Sequence, residues 1–382
     1  MSTVPASIPV MQWAAERSGL SDEKLEARFR KWKLWLAGEA QPTMKQLEDY
    51  SRLTHTPFGY FFLPSPPKLV LPVPDFRTLR DDALEEPSPE LLDTIFLCQQ
   101  RQEWYREYAQ LHGLAPFTFV GSSKIQMKPE AVAKDIRDTL GISASERQRI
   151  PNWTEALRNL VIRAEEAGIL VMASSIVGSN SHRKLRVSEF RGFALVDTLA
   201  PLIFLNAADS KAAQMFTLAH ELAHIWMGES GISDSIAGNI PESRIEKWCN
   251  LVAAELLIPL DELRDAHGQG TTISAEIQLL ARQFKVSTLV VLRRLFDAGL
   301  IDKDTLWESY REELEHIRSL QQSGSGGGDF YRTLGSRTGK RFARAILSST
   351  LEGQTLFQDA FRMLGIRKTS TFYEAVHELG VM

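Results

Sequence analysis

The spacing of apolar residues predicts a mostly helical chain that is interrupted once by a group of strands. Residues 9 to 63 show short amphipathic segments separated by polar breaks, so we expect several short helices that close a small core. The core candidates are Trp13, Leu20, Leu25, Phe29, Leu34, Leu47 and Leu53. A longer amphipathic pattern from about Pro89 to His112 predicts a packing helix.

Five prolines between residues 64 and 74 separate these two patterns. Proline fixes its own backbone torsion and donates no N–H, so we expect an extended segment that joins domains rather than forming one. The prolines are Pro64, Pro66, Pro67, Pro72 and Pro74.

The pattern becomes mixed from about residue 129. The segments PEAVAKDIRDTLGI and WTEALRNLVIRAEEAGI each end in glycine and an apolar residue, which predicts two helices. Three β-type runs follow, at residues 169–176, 190–196 and 202–205. A helix with the run MFTLAHELAHIWMG, a glycine-bearing loop and a helix from Glu242 to Ile258 complete an α+β domain with a small three-stranded sheet.

The C-terminal third predicts helices again. Residues 271–301 predict two helices with a tight break at Lys285 and Val286. The Gly- and Ser-rich residues 321–329 predict a flexible linker, and the residues after it predict a basic helical domain. We therefore expect flanking helical domains around the α+β domain, with boundaries at 1–63, 64–88 (linker), 89–268, 269–320, 321–329 (linker) and 330–382.

Composition narrows the classes of function. The 43% apolar and 24% charged residues are ordinary for a globular protein. The start of the chain lacks the basic and apolar regions of a secretory signal, so we expect a cytoplasmic protein with no membrane partner. The net charge of −4 gives no overall basic footprint for nucleic acid. Cys98 and Cys249 lie far apart and predict neither a disulfide nor a cysteine-based zinc site.

The apolar run at residues 215–228 holds three titratable side chains, His220, Glu221 and His224. Residues four apart share one helical face, so both imidazoles can reach one ion at the roughly 2.0–2.1 Å of a zinc bond. Glu221 lies beside them, where it can take a proton from a water whose pKa the metal lowers. Buried histidines without a partner are costly, and a bound cation is the simplest compensation.

A catalytic zinc site needs three protein ligands and one open position. The downstream candidates for the third ligand are Glu242, Glu246, Glu255 and His267. Glu246 and Glu255 are about half a turn out of phase on one helix, so both cannot face the same metal. The Glu246 face continues through Asn250 and Ala253, which permit close approach to the HELAH helix. We rank Glu246 first and Glu242 second, with a two-histidine site or no metal as the remaining alternatives.

HELAH followed by ExxCNxxAAELLIP resembles the ImmA/IrrE family of zinc metallopeptidases. That family's pattern is HExxH, then a glutamate ligand within ExxAN or ExxCN, then FAAELLMP. The resemblance covers roughly residues 120–300. It implies a zincin-like metallopeptidase domain with Zn²⁺ on His220, His224 and Glu246 and with Glu221 as the catalytic residue. Asn250 is a candidate to support the ligands from behind.

The same resemblance implies a strand along the substrate cleft. An edge strand there could pair with an extended peptide backbone. Its residues are Leu202, Ile203, Phe204 and Leu205.

Two helical regions resemble helix-turn-helix modules. Residues 273–301 are similar to the module that follows the peptidase domain in family members. Four basic residues there are candidates for phosphate contacts or for solvated surface charge, namely Arg282, Lys285, Arg293 and Arg294. The N-terminal region resembles the Xre/Cro module of longer members, with Trp35, Gly38 and Pro42-Thr43 matching its ending. Leu25 to Trp35 is shorter than the intact motif, so we favour a protein-contact module over sequence-specific DNA binding for this region.

Family peptidases act on helix-turn-helix repressors. Our leading hypothesis is therefore a zinc-dependent endopeptidase that cleaves a regulatory protein such as a repressor. The alternative is a non-catalytic antitoxin that binds a partner toxin or DNA, because chains of this layout resemble proteins encoded beside PIN-like nuclease toxins.

Overall fold

The computed structural model describes residues 3–75, 86–143, 149–233, 243–268, 272–320 and 330–381. The chain divides into two compact units, Met1–Pro72 with Asp81–Ile95, and Val73–Arg80 with Phe96–Met382. Short helices make up the first unit before the proline-rich segment: α1 (Ile8–Ser18), α2 (Asp22–Arg28), α3 (Trp32–Leu36), α4 (Met44–Thr54) and a 3-10 helix (Phe58–Phe62).

The core of the first unit is aromatic. Trp32 and Trp35 of α3 are both buried, whereas Leu34 between them is 40% exposed, so its assignment to the core is wrong. A helix of five residues has one inward face, and the two indoles fill it. Thr43 caps α4, since its Oγ1 accepts from Gln46 N at 3.3 Å while its own N–H donates to Gln46 Oε1 at 2.9 Å. That this region is a protein-contact module rather than a DNA-binding module stays a prediction.

The predicted long helix is α5 (Pro89–Leu111), and the two helices that end in glycine motifs are α6 (Pro129–Leu140) and α7 (Trp153–Glu166). Gly141 ends α6 in the left-handed conformation, with a φ of 61°. Asn152 begins α7 by accepting from Glu155 N at 2.9 Å.

A four-stranded sheet follows, in the order β1-β5-β4-β6, with β1 parallel to β5 and the other pairs antiparallel. A separate hairpin pairs β2 with β3. The strands are β1 (Leu170–Ser174), β2 (Ile176–Val177), β3 (Asn180–Lys184), β4 (Gly192–Leu195), β5 (Leu202–Asn206) and β6 (Gly231–Ser233).

The sheet corrects two expectations. It has four strands rather than three, because β6 forms within the stretch predicted as a loop, with Ile232 opposite Phe193 of β4. Three residues are too few to show a period, so only pairing reveals this strand. Leu202–Leu205 is also not an edge strand, since β5 pairs with β1 on one side and β4 on the other. A continuous apolar run is typical of such an interior strand.

Helices complete the second unit. They are α8 (Lys211–Met227), α9 (Arg244–Leu257), α10 (Leu260–Ala266), α11 (Ile273–Phe284), α12 (Thr288–Asp297), α13 (Lys303–Leu320), α14 (Phe330–Thr338), α15 (Lys340–Leu351), α16 (Phe357–Leu364) and α17 (Thr369–Glu378). The predicted break between α11 and α12 is confirmed, with Lys285 left-handed at a φ of 55°. The predicted linker 321–329 lies outside the described residues. Within the described ranges, no helix is long and apolar enough to cross a bilayer.

Two C-terminal helices, α14 and α15, pack against the edge strand β1. Gly339 comes so close that a Cβ there would lie 2.9 Å from Val171 O. Glu165 of α7 accepts a hydrogen bond from Arg341 N at the start of α15, at 3.0 Å. Arg101 of α5 donates to Met363 O from both Nε and Nη2, at 3.0 and 2.8 Å. The C-terminal helices therefore belong to the same compact unit as the sheet.

One basic residue of the helix-turn-helix-like segment is neither solvated nor available to phosphate. Arg294 is 3% exposed, pairs with Glu255 of α9, and donates from Nε to Ile258 O at 2.8 Å. Its place on the buried face of α12 removes it from the candidate DNA contacts. Arg293 on the same helix pairs with Asp297 at 3.0 Å.

Candidate metal centre

Helix α8 carries the HELAH motif and is buried along its length from Gln214 to Trp226. Its first turn is capped by Ser210, whose Oγ accepts from Ala213 N at 3.2 Å. Its last carbonyls accept from the backbone of a neighbouring segment, since Gly121 N donates to Ile225 O at 3.1 Å and Ser123 N to Trp226 O at 2.8 Å. Both ends are thus fixed, which holds the motif in one orientation.

Helix α9 carries Glu246, the first-ranked candidate for the third ligand. It packs directly on α8 and on α6, and the side chain of Trp248 anchors it by donating to Met127 O at 3.0 Å. Ala253 and Cys249 are small and fully buried, which allows the two helices to approach closely. Glu246 in the first turn of α9 therefore reaches the histidines of α8.

The structure brings together His220, His224 and Glu246. The two Nε2 atoms are 3.1 Å apart; His220 Nε2 lies 3.1 Å from Glu246 Oε2, and His224 Nε2 lies 2.9 Å from Glu246 Oε1. Ligand atoms around a tetrahedral zinc, with bonds of about 2.0–2.1 Å, would be separated by about 3.3 Å. Small adjustments of the side chains would thus let all three contact one ion.

The other candidates for the third ligand take different positions. Glu255 pairs with Arg294, and His267 Nδ1 lies 2.8 Å from Glu276 Oε1. Glu242 lies outside the described residues. Among the described residues, His220, His224 and Glu246 are the group of metal-ligating side chains close enough to share an ion.

A cation fits the chemistry of this group. His220 Nδ1 is 2.9 Å from Asn250 Oδ1, which can only accept, so Nδ1 donates. A neutral His220 then presents the lone pair of Nε2 to the lone pairs of Glu246 Oε2. Two buried acceptors face each other at 3.1 Å, an arrangement that needs positive charge between them, from a proton or a metal ion.

The two glutamates of the site have opposite pKa shifts. Burial alone opposes ionisation of Glu246, but the charges and hydrogen bonds of His220 and His224 outweigh it and lower its pKa to about 2. Burial raises the pKa of Glu221 to about 8, against the weaker opposing effects of His224 and Ser233. Glu246 is therefore suited to bind a cation as a carboxylate. Glu221 is suited to exchange a proton.

Two residues that position Glu221, Ser233 and Gly192, were not predicted from the sequence. Ser233 of β6 donates from Oγ to Glu221 Oε1. Gly192 of β4 lies so close that a Cβ there would be 2.6 Å from Thr217 Cγ2 and 3.2 Å from Glu221 Oε1. The other carboxylate oxygen, Oε2, is buried and has no hydrogen-bond partner among the described residues. The sheet thus fixes one oxygen of Glu221 and leaves the other for a water.

A buried His-His-Glu group beside a second carboxylate, on an α+β domain, is the kind of arrangement found in metallopeptidase sites. Residues 164–296 match the family described as the IrrE N-terminal-like domain. The resemblance to the ImmA/IrrE family is thereby confirmed for this part of the chain, which carries an IrrE N-terminal-like domain. Residues 338–378 match a domain of unknown function, DUF8813.

A relative of known activity supports the same assignment. Over 102 residues the chain is 35% identical to the Radiation response metalloprotease IrrE of Deinococcus radiodurans. The matched stretch covers 25% of this chain and 30% of that protein. The chain thus spans less than a third of the length of the curated relative it matches.

Proposed function

We propose that the chain is a zinc-dependent endopeptidase that cleaves a regulatory protein. The observation that carries this proposal is the convergence of His220, His224 and Glu246 beside the buried carboxylate of Glu221. Two imidazoles and one carboxylate are a ligand set that suits zinc and leaves one coordination position open.

Different residues of this chain would hold the zinc ion, transfer the proton and position the carboxylate that transfers it. A zinc ion held there would polarise the scissile carbonyl and lower the pKa of the attacking water. Glu221 Oε2 accepts the proton of that water, while Ser233 holds Oε1 in place. The same carboxyl then donates the proton to the nitrogen of the leaving amine. The raised pKa of Glu221 supports the second step, because burial favours the protonated carboxyl that donates to the amine.

Asn250 orients one of the proposed ligands, His220. Its Oδ1 accepts from His220 Nδ1 at 2.9 Å, so Nε2 is the nitrogen that faces the ligand group. Contacts of this kind orient a ligating histidine and raise its basicity.

The substrate we propose is a helix-turn-helix repressor, as the family resemblance implies. The decisive variant is Glu221→Gln, which keeps the size and burial of the side chain but removes its proton affinity. Zinc-loaded wild type and variant are incubated with the repressor encoded nearest to this chain's gene and with an extract of the source organism. New protein N-termini are then identified by mass spectrometry.

We expect new N-termini with the wild type and none with Glu221→Gln, while both proteins hold one zinc. Glu229→Gln is the matched control, since Glu229 is exposed at the end of α8 and should leave cleavage unchanged. Full biological activity in Glu221→Gln would instead favour the antitoxin hypothesis, in which the chain binds its partner without turnover.

A further inference from the structure

The outer edge of β6 is paired with a segment of the proline-rich region. Ile232 N donates to Pro74 O at 3.1 Å, and Asp75 forms a parallel bridge with Ile232. Val73–Asp75 and β6 belong to the same compact unit. The sequence predicted this segment as a simple connection, yet it lies along a sheet edge.

That edge adjoins the candidate active site. Ser233, the residue after Ile232, contacts the carboxylate of Glu221. The inner side of β6 is taken by β4. The opposite end of the described sheet is β1, against which α14 packs. An extended peptide that binds by strand addition needs a sheet edge, and the edge of β6 is the one beside Glu221.

Within the described residues, the pairing of Val73–Asp75 with β6 is the single bridge between Asp75 and Ile232. The N–H and C=O of one residue point to the same side of a strand, so Pro74 presents its carbonyl to β6 but has no donor to offer. Proline therefore prevents a longer ladder at this point. Pro74 is also exposed to solvent, although Ile232 beneath it is buried. Among the described residues, the hydrogen bond from Ile232 N to Pro74 O is the backbone bond that holds the segment on this edge.

We propose that the outer edge of β6 is the surface on which a substrate backbone pairs, and that Val73–Asp75 occupies it as an internal competitor. The partner it fits is an extended segment with an N–H where Pro74 has none, because such a segment makes the additional bond. The regulation proposed here rests on the proposed peptidase function, since it concerns access to the same site.

The test weakens the pairing of Val73–Asp75 with β6 and leaves the residues of the candidate metal centre unchanged apart from Glu221. Val73→Gly and Asp75→Gly are combined in the full chain with Pro74 unchanged, and Ser65→Gly and Lys68→Gly form the matched control in the same proline-rich region. Both carry Glu221→Gln, so that no probe is consumed. The probes are two fluorescein-labelled peptides, KLVLPVPD, which copies residues 68–75, and KLVLPVAD, in which alanine restores the missing N–H.

We expect the variant with glycines at 73 and 75 to bind KLVLPVPD at least about tenfold more tightly than the control does, because apparent affinity rises with the fraction of chains whose edge is open. KLVLPVAD should bind about fivefold more tightly than KLVLPVPD, the gain of about one hydrogen bond. Hydrogen exchange at the Ile232 amide should be faster in this variant than in the control, with exchange in β5 unchanged.

Equal peptide binding by variant and control, or equal exchange at Ile232, would overturn the proposal. So would a variant that loses thermal stability or self-associates without gaining peptide binding, since Val73–Asp75 would then be a structural cover of the edge. None of these measurements requires hydrolysis. If the opened edge binds peptide but wild type cleaves no protein, the pairing surface stands and the peptidase function fails.

Discussion

The two ends of helix α9 carry buried glutamates with different partners. Glu246 in the first turn is 1% exposed and faces the imidazoles of His220 and His224. Glu255 near the last turn is 6% exposed and pairs with the guanidinium of Arg294. A guanidinium is a permanent cation that completes an ion pair, whereas neutral imidazoles are electron-pair donors. The first end is therefore suited to bind a cation, and the second to hold two helices together.

The largest effect is expected from Glu246→Gln. It replaces a charged ligand by a neutral amide, and we expect zinc affinity to fall by roughly three orders of magnitude, about 4 kcal/mol. Glu255→Gln is the matched control on the same helix and should leave zinc affinity unchanged. Zinc content by mass spectrometry and competition with a chromophoric chelator measure both. Equal zinc affinity in the two variants would contradict the assignment of Glu246 as a ligand.

For the free energy of unfolding, the larger effect is expected at the other end of α9, where Glu255 pairs with Arg294. Arg294→Met leaves Glu255 buried without its cation, and we expect a loss of about 3 kcal/mol in the free energy of unfolding. Urea titration followed by tryptophan fluorescence measures it. The control is Arg158→Met, which removes the partner of Glu155 in an exposed pair with an N···O distance of 3.7 Å and should cost less than about 1 kcal/mol. Comparable losses in both variants would show that burial of the Arg294 pair is not decisive.

Glu165 of α7 is a third buried glutamate to compare with Glu246 and Glu255. Its partners are mainly backbone amides. Burial raises the pKa of Glu165 to about 7, and hydrogen bonds from Arg341 N and Lys340 N only partly offset it. The folded chain then binds more protons than the unfolded chain between pH 4.5, the usual pKa, and about 7. This contribution to stability is complete below pH 4.5 and is lost as the pH rises through about 7.

We therefore expect the free energy of unfolding of the wild type to fall by about 2 kcal/mol between pH 5 and 8, relative to Glu165→Gln. Gln can still accept from Arg341 N but has no titrating proton. Urea titrations of both proteins at several pH values measure the difference. Parallel pH profiles would contradict the raised pKa.

The phase of α9 was predictable from the sequence because it depends on local geometry. The nine-residue spacing of Glu246 and Glu255 separates their faces whatever surrounds the helix. The contact of Ser233 with Glu221 was not predictable, since it depends on a three-residue strand that forms only by pairing with β4. The interior position of β5 likewise depends on a long-range parallel pairing with β1. Helical periods thus identified the ligand candidates, but not the residues that the sheet supplies.

The smallest effect is expected at the residue that supports His220. Asn250→Ala removes the acceptor for His220 Nδ1, so the imidazole loses its fixed tautomer while all three proposed ligands remain. We expect zinc affinity to fall by about tenfold, near the lower end of the range for such contacts. Asn250→Asp keeps an acceptor at the same position and should retain affinity close to wild type. If Asn250→Ala and Asn250→Asp lower affinity equally, packing at this position matters rather than the hydrogen bond, and α9 contributes a ligand without contributing its support.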